Sequence, residues 1–327
     1  MLDRSWSNGV IAPVMLVAAL LVAPTKANAQ RFPSQDIYLV NGNPPGSGAD
    51  IVVRFYAEKL KVLSGRTVIV SNKPGAGNNI ATEFVARSKP DGHTIYMHTG
   101  SAMAAAMHLY KKPPVDAARE MQVVAPINRQ AYMLVVDSSR PWKTVAELTT
   151  HLRQKGDRAT YAIDANSGSV MAALYKHHEN LSAVEVSYRQ AADCLNDLAS
   201  GTLDFASLNP QFVLARATEG RLRVLGVASR TRLQSQPEFP TMAEQGVPMD
   251  LIGWFAAFVP MATPRPIIDQ LNAWFNTITL MEDTKRFLNQ SGGDQWTGTP
   301  EEGQARLLQD IKAWGEYIRL AKIPQLG

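Results

Sequence analysis

The sequence has very little cysteine: Cys194 is its one example in 327 residues, so no disulfide can form within the chain. Stability must therefore come from a hydrophobic core, which a chain of this length can bury without cross-links. We expect Cys194, which lies in a helical pattern, to be a small buried residue of that core. A composition of 45% hydrophobic and 19% charged residues excludes a disordered chain, a collagen and a coiled coil.

The chain also lacks a concentration of charge of one sign. Lysine and arginine number 33 against 29 aspartates and glutamates, and no run of five basic residues occurs. Nucleic acids and anionic membranes are bound by clustered Lys and Arg side chains. The sequence therefore predicts no nucleic-acid partner, although the small excess of positive charge is compatible with local binding of a small anion.

Long hydrophobic runs are missing as well, since the longest near the N-terminus, 10–22, is shorter than the roughly 18 residues that span a bilayer. Arg4 precedes this run, and Ala27-Asn28-Ala29 follows it as a small-x-small cleavage site. These are the features of a secretory signal peptide. We expect residues 1–29 to be removed on export to the periplasm, leaving Gln30 first and no cysteine for a lipid anchor. An uncleaved N-terminal anchor is the alternative.

Motifs of catalysis and metal binding are absent from the sequence. It contains no Gly-x-Ser-x-Gly elbow and no His-x-x-x-His pair, and the adjacent His177 and His178 cannot both face one site from a helix. His98 alone among the histidines falls in a candidate binding loop, as a general base or as a polar lining residue. The sequence predicts no catalytic residue, no metal and no cofactor. A periplasmic α/β hydrolase-like enzyme acting on a small carboxylate or ester remains the alternative.

Past residue 30, short β-branched runs alternate with amphipathic helical stretches. Residues 36–40 are typical of a strand, 49–63 of a helix and 67–70 of a second strand. Such alternation predicts mostly parallel sheets covered by helices on both faces. The last third differs, with a strand at 251–259 and then three helices beginning at Arg265, Met281 and Pro300. The number of elements favours two α/β domains over one sheet or an eightfold barrel.

Four loops that follow predicted strands have the composition of a binding site. In open α/β sheets, ligands bind beyond the carboxyl ends of the strands. The first loop (residues 43–50) and the second loop (residues 72–79) combine proline and two glycines ahead of a helix, whose N-terminus attracts anions. The first is alternatively a tight turn with Asp50 in the first helical turn. The third loop (residues 98–101) and the fourth loop (residues 166–169) supply hydroxyl groups.

These loops predict a cleft between the domains that closes on a small polar ligand. We expect the carboxylate of such a ligand to dock on the backbone amides of the first two loops, at Gly46 and at Gly75 to Gly77. The predicted ligand-binding residues of the four loops are Asn43, Pro45, Gly46, Ser47, Gly48, Asp50, Gly75, Ala76, Gly77, Asn78, His98, Thr99, Ser101, Asn166, Ser167, Gly168 and Ser169.

Several of these segments also carry a resemblance to a known family. Asn72-Lys73-Pro74-Gly75-Ala76-Gly77 and Pro90-Asp91-Gly92-His93-Thr94 are specific when they occur together. With further matches at 37–50, 240–246, 254–264 and 298–302, the chain resembles the extracytoplasmic solute receptors of tripartite tricarboxylate transporters, the Bug family. The resemblance covers essentially the whole chain after the signal peptide, in the family's order.

The resemblance implies a two-domain, type II-like periplasmic binding protein, with 30–128 plus 253–327 as one domain and 129–252 as the other. The crossovers are expected near 128–133 and 250–254. The resemblance implies a small carboxylate, held by backbone amides and bridging waters on hinge closure and delivered to the membrane permease of such a transporter. It further implies a receptor and not an enzyme, and we expect a monomer.

The chain departs from the family at two places in the predicted cleft. Many members have Phe-Asp-Asn where this chain has Ser207-Leu208-Asn209, and many have Ser-His where it has Val170-Met171. An aspartate there would suit a ligand with an amine or a hydroxyl group. Leu208 and Asn209 therefore join the predicted binding residues. Leu208, Val170 and Met171 favour an apolar wall and an aliphatic or aromatic carboxylate without an amine.

Overall fold

The computed structural model describes residue 1 and residues 32–163, 166–188, 191–320 and 322–327. Apart from its first residue, the expected signal peptide at 1–29 lies outside the described residues. The part from Phe32 to Gly327 forms one compact unit. Within the described residues, no helix is long and apolar enough to cross a membrane.

Strands and helices mostly alternate along the described residues. The strands are β1 (Ile37–Asn41), β2 (Val68–Asn72), β3 (Thr94–Thr99), β4 (Met121–Ala131), β5 (Met133–Asp137), β6 (Thr160–Ile163), β7 (Val184–Ser187), β8 (Phe205–Leu208), β9 (Leu222–Val227), β10 (Ile252–Pro260) and β11 (Gly293–Gln295). The helices are α1 (Gly48–Ser64), α2 (Asn79–Ala86), α3 (Gly100–Leu109), α4 (Ala117–Glu120), α5 (Val145–Lys155), α6 (Asn166–Glu179), α7 (Leu195–Ser200), α8 (Pro210–Thr218), α9 (Arg265–Leu280), α10 (Glu282–Gln290) and α11 (Pro300–Leu320).

The strands form two sheets, in the order β11-β4-β10-β3-β1-β2 and β7-β6-β8-β5-β9. Both sheets are mixed, which corrects the expectation of mostly parallel sheets. In the six-stranded sheet β1 pairs in parallel with β2 and β3, whereas β10 is antiparallel to β3 and β4. In the five-stranded sheet β6 is parallel to β7 and β8, whereas β5 is antiparallel to β8 and β9. The antiparallel pairs all involve β4, β5 or β10, the strands that flank the passages between the sheets.

The chain passes from the first sheet to the second between Ala131 and Met133 and returns between Val227 and Ile252. β4, which leads into the first passage, was not predicted from the sequence, and Pro126 in its middle is unusual for a central strand. In the structure Pro126 pairs with Ala256 next to a shift in the register of β4 against β10. A proline is tolerated at such an irregularity because the ladder is already interrupted there.

The core lies on both faces of the six-stranded sheet. On one face Ile37, Leu39 and Phe275 pack between the sheet and helices α1 and α9. On the other face Tyr96 and Trp254 pack toward α3 and α11, and this cluster continues without a break into the second sheet. A core shared by the two sheets explains why residues 32–327 form one unit. Cys194 is fully buried in a third cluster, as expected.

Candidate functional site

A cavity of about 900 Å³ lies between the two sheets and is lined from both sides. Five helices begin at its wall, since Gly48, Ser101 and Ser167 lie in the first turns of α1, α3 and α6, and Asn78 and Asn209 are the N-caps of α2 and α8. A helix N-terminus carries about half a positive charge and unsatisfied N–H groups. The cavity therefore has the electrostatics of an anion-binding cleft.

The cleft brings together eleven of the residues predicted from the sequence: Asn43, Gly46, Ser47, Gly48, Gly77, Asn78, His98, Thr99, Ser101, Ser167 and Asn209. Seven others lie next to it without lining it: Pro45, Asp50, Gly75, Ala76, Gly168, Ser169 and Leu208. Asn166 is the first residue of α6, and its side chain lies outside the described part of the structure.

The first loop is organised around the carboxylate of Asp50, which is 2% exposed. Its Oδ2 accepts hydrogen bonds of 2.8 Å from the Gly46 N–H and from Nε of Arg54, and its Oδ1 accepts one of 2.8 Å from Nδ2 of Asn72. Burial alone would raise the pKa of Asp50, but these hydrogen bonds and the Arg54 charge lower it to about 2. Asp50 is therefore ionised, and the hydrogen bonds that it accepts hold the first loop in its conformation.

This arrangement corrects the prediction for Gly46, whose amide is directed to Asp50 instead of to a ligand. Ser47, the N-cap of α1, uses its hydroxyl to accept from the Asp50 N–H at 3.3 Å. The amides of Gly48 and Ala49, the next two in the first turn, have no hydrogen-bond partner among the described residues. Since both residues line the cleft, these amides are the donors that the first loop offers.

The second loop is curled by backbone conformation. Four consecutive residues have positive φ: Gly75 at 130°, Ala76 at 47°, Gly77 at 59° and Asn78 at 73°. Tyr110 closes the curl by donating its hydroxyl to the Ala76 carbonyl at 3.1 Å. The amide of Gly77 has no partner among the described residues, and Gly77 lines the cleft. The loop therefore presents a donor whose position is set by glycine geometry.

His98 lies at the base of the cleft, 3% exposed, near the end of β3, because the predicted third loop at 98–101 is the end of β3 and the start of α3. Its ring stacks on Tyr96 with centroids 4.9 Å apart. Burial lowers the pKa of His98 to about 4, so the imidazole is neutral at pH 7. Its Nδ1 and the Oε1 of Gln130, which also lines the cleft, are buried without a hydrogen-bond partner in the described structure. Unsatisfied polar atoms at a cavity wall are typical of a site for a polar ligand.

On the opposite side, α6 and α8 are held by contacts that the sequence did not reveal. A Cβ added to Gly168 would lie 2.6 Å from the Ser207 carbonyl, so glycine permits α6 to approach β8. Ser169 donates to Glu185 Oε2 at 3.0 Å and is thereby engaged within the second sheet. Asn209 caps α8 by accepting from the Phe212 N–H at 3.0 Å. Gln211 reaches across the cleft, because a Cβ on Gly48 would meet its Oε1 at 2.9 Å.

The apolar wall expected from Leu208, Val170 and Met171 is not at the cleft. All three side chains are fully buried in hydrophobic clusters, because β8 and α6 turn these positions toward the core. The apolar lining comes from α3 instead, where spacings of three and four place one face of the helix on the cavity. Its lining residues are Ala102, Ala105, Ala106 and Leu109, and Phe255 and Trp314 extend it. Residues 102–107 are all apolar, so the sequence alone does not single out this face of α3.

Charge is sparse around the cavity. Among the described lining residues, Arg216 is the one side chain with a permanent charge, and none is Asp or Glu. Asp164, which precedes the fourth loop, lies outside the described residues. An ammonium group buried in such a cleft would find no carboxylate partner among the described lining residues, and an unpaired buried charge costs several kcal/mol.

Two buried carboxylates stand at the connections between the sheets. Asp294 of β11 accepts from the N–H groups of Gln234 and Ser235, at 2.9 and 2.8 Å, and so ties a loop after β9 to the first sheet. Asp310 of α11 accepts from Nε1 of Trp254 at 2.6 Å, close to where the chain returns through β10. Burial raises the pKa of Asp310, although Arg306 opposes that effect.

The sequence and the fold match those of one family of receptors. The family model described as "Tripartite tricarboxylate transporter family receptor" matches residues 52–322. The UPF0065 protein in the tcbD-tcbE intergenic region of Pseudomonas sp. strain P51 is 28% identical over 93% of each chain. The structure of R. palustris Rpa4515 with adipate superimposes with a TM-score of 0.80 at 27% identity, over 90% of this chain and 100% of the other. The periplasmic binding protein BugD has the same fold, with a TM-score of 0.76 at 23% identity over 90% of this chain and all of its own.

Proposed function

Since the chain belongs to the tripartite tricarboxylate transporter receptor family, whose members are solute receptors and not enzymes, we propose that it binds a small organic carboxylate without an amine. The observation that carries this proposal is the set of donors at the cleft. The amides of Gly48, Ala49 and Gly77 lie where helix N-termini meet the cavity, and no described residue of the chain hydrogen-bonds to them. A carboxylate supplies the acceptors and the negative charge that such a site favours.

The absence of an amine is supported by the lining itself. No described lining residue is acidic, so an amino acid would leave its ammonium group without a charged partner. This argument replaces the one from Leu208, which is buried. The cleft is polar at its ends, and between those ends the alanine face of α3 suits a hydrocarbon chain or ring. A related structure holds adipate, which is a dicarboxylate without an amine.

We further propose that binding closes a hinge between two domains, 30–128 with 253–327 and 129–252. The two connections, at 131–133 and 227–252, are the places where the chain can bend. Closure brings Ser167 and Asn209 against a ligand seated on the first two loops. The protein is proposed to act as a monomer in the periplasm after cleavage at Ala29, and to deliver its ligand to the membrane permease of a tripartite transporter.

A thermal-unfolding screen of carboxylates, followed by calorimetry, tests the proposal. A ligand at about 100 times its dissociation constant should add about 2.7 kcal/mol to the free energy of unfolding. Succinate and aspartate form a matched pair that differs in the amine, and benzoate adds an aromatic acid. We expect unaminated acids to stabilise the protein and aspartate to do so far less. If aspartate or glutamate bound tightest, the assignment of the ligand class would be wrong. If no carboxylate bound, the proposed receptor function itself would be wrong.

A further inference from the structure

Arg216 is a cation at the cleft that the proposed function does not use. It lies in the last turn of α8, and with Phe212 and Ala215 it forms the face of that helix that lines the cavity. His98, the other basic side chain on the described wall, is kept neutral at pH 7 by burial, which lowers its pKa to about 4. Among the described lining residues, Arg216 therefore supplies the full positive charge of the cleft.

The guanidinium of Arg216 is only partly engaged. Its Nη1 donates to both carboxylate oxygens of Glu219, at 2.6 and 2.5 Å. Its guanidinium carbon lies 5.6 Å from the centroid of the Phe212 ring. Its Nε is buried and has no hydrogen-bond partner in the described part of the chain. A guanidinium carries its donors in a planar fork, and Glu219 engages Nη1 of this one, so the fork keeps further donors for a second carboxylate.

If the Arg216 side chain stood in solvent, its ion pair with Glu219 at the end of the helix would be enough to explain the arginine at this position. Such pairs at spacing i, i+3 contribute only a few tenths of a kcal/mol. Arg216 instead is 32% exposed and lines a cavity, and its Nε is buried without a partner in the described part of the chain. A buried unpaired donor is costly unless a ligand satisfies it.

The position of Arg216 along α8 indicates how far it lies from the first turn of α1. Gln211, near the start of the helix, contacts the first turn of α1 at Gly48. Arg216 lies five residues farther on, which is roughly 7.5 Å along the helix axis at 1.5 Å per residue. We propose that Arg216 binds the second carboxylate of a linear dicarboxylate whose first carboxylate lies at the N-terminus of α1. This inference rests on the proposed function and makes Arg216 the residue that selects dicarboxylates over monocarboxylates.

Calorimetry with adipate and hexanoate, which share a chain length and differ in one carboxylate, tests the inference. We expect the Arg216→Gln protein to bind adipate at least about tenfold more weakly than wild type and to bind hexanoate within about twofold of wild type. Arg216→Lys, which keeps the charge without the planar fork, should retain part of the preference for adipate. Glu219→Gln removes the competing carboxylate and should increase that preference. Arg87→Gln, which breaks the exposed pair with Glu83 on α2, is the matched control and should change neither affinity.

The outcomes separate the inference from the proposed function. If Arg216→Gln weakened both acids equally or neither of them, Arg216 would not be the dicarboxylate residue, and the receptor function would stand. If the wild-type protein bound no carboxylate, the proposed function would fail first. Should Arg216→Gln not fold by circular dichroism, Glu219→Gln decides the matter. An unchanged ratio of adipate to hexanoate affinity in that variant overturns the inference.

Discussion

The first and second loops have similar compositions, with proline and two glycines ahead of a helix, but the structure holds them by different means. The first loop is braced by a buried anion, with Asp50 accepting from Gly46, Arg54 and Asn72. The second loop is curled by four consecutive positive φ angles at 75–78. Both loops end with free amides at the same cleft, at Gly48 and at Gly77.

The same composition therefore supports two different ways of holding a loop in place. An ionic brace depends on pH and on the identity of one side chain. A backbone curl depends on residues that tolerate the left-handed region and on whatever packs against them. The two loops should therefore respond differently to substitution and to acid.

The largest effect is expected from Gly77→Val. A β-branched side chain at φ 59° is strained, and its Cβ would lie 2.5 Å from the Tyr110 hydroxyl. We expect the affinity for the best carboxylate to fall at least about tenfold, because the Gly77 amide would move. Gly65→Val is the control, since Gly65 has a similar φ of 65° at the end of α1 and open space around it.

Both variants should lose roughly 1–2 kcal/mol of stability from the left-handed backbone, measured by urea unfolding. Calorimetry should then show weakened binding for Gly77→Val alone. Normal carboxylate affinity in the Gly77→Val protein would move the site away from the second loop.

The next largest effect is expected for Asp50→Asn, which removes the ionic brace of the first loop. The pKa of Asp50 is lowered from 3.8 to about 2, so its carboxylate stabilises the fold above pH 4, and this contribution disappears as the pH falls toward 2. At pH 7 the variant should lose about 2 kcal/mol of unfolding free energy. The gap between variant and wild type should narrow at pH 3.

Urea denaturation at the two pH values measures this gap. Asp269→Asn is the control, because it removes an arginine partner at the same i, i+4 spacing but 53% exposed, and should cost at most about 0.5 kcal/mol. A gap for Asp50→Asn that did not depend on pH would indicate that hydrogen-bond geometry, and not charge, holds the first loop.

The smallest effect is expected for Tyr110→Phe, which deletes the hydroxyl that donates to the Ala76 carbonyl. This bond is exposed to solvent, so its loss should cost about 0.5–1 kcal/mol. Tyr38→Phe, at a half-exposed tyrosine of β1, is the control. A loss above about 2 kcal/mol in urea unfolding would show that the second loop depends on its side-chain tether more than on its backbone.

Local sequence signals predicted much of the fold. The helices beginning at Arg265 and Pro300 were confirmed at those residues, and the strands expected at 36–40 and 67–70 were found at Ile37–Asn41 and Val68–Asn72. At α11 the capping box is complete, with the Glu302 N–H donating to Thr299 and the Thr299 N–H donating to Glu302. At α5 the capping box is incomplete, because the Glu147 N–H donates to Thr144 but the Glu147 carboxylate accepts from the Lys143 N–H instead of the Thr144 N–H.

The candidate site, like the fold, was predictable from the sequence only in part. Loop composition and the helices that follow were enough to indicate where donors would gather, since both follow from short-range backbone preferences. Burial was not predictable for Leu208, because alternation along a strand tells which residues share a face but not which face meets the cleft. Residues 102–107 of α3 are all apolar, so the sequence did not show which face would line the cavity, and the packing of α3 against α11 decided it.

The local features follow from the sequence alone: the glycines that permit positive φ, the caps, and the N-termini of helices after strands. Which of the donors remain free depends on the tertiary structure. The Gly46 amide is taken by Asp50, whose other oxygen is fixed by Asn72, twenty-two residues later in the chain. β4 likewise exists as an eleven-residue strand despite Pro126 because β10 and β11 pair with it from the far end of the sequence. Contacts at such separations form only when the sheets assemble, so no local pattern can specify them.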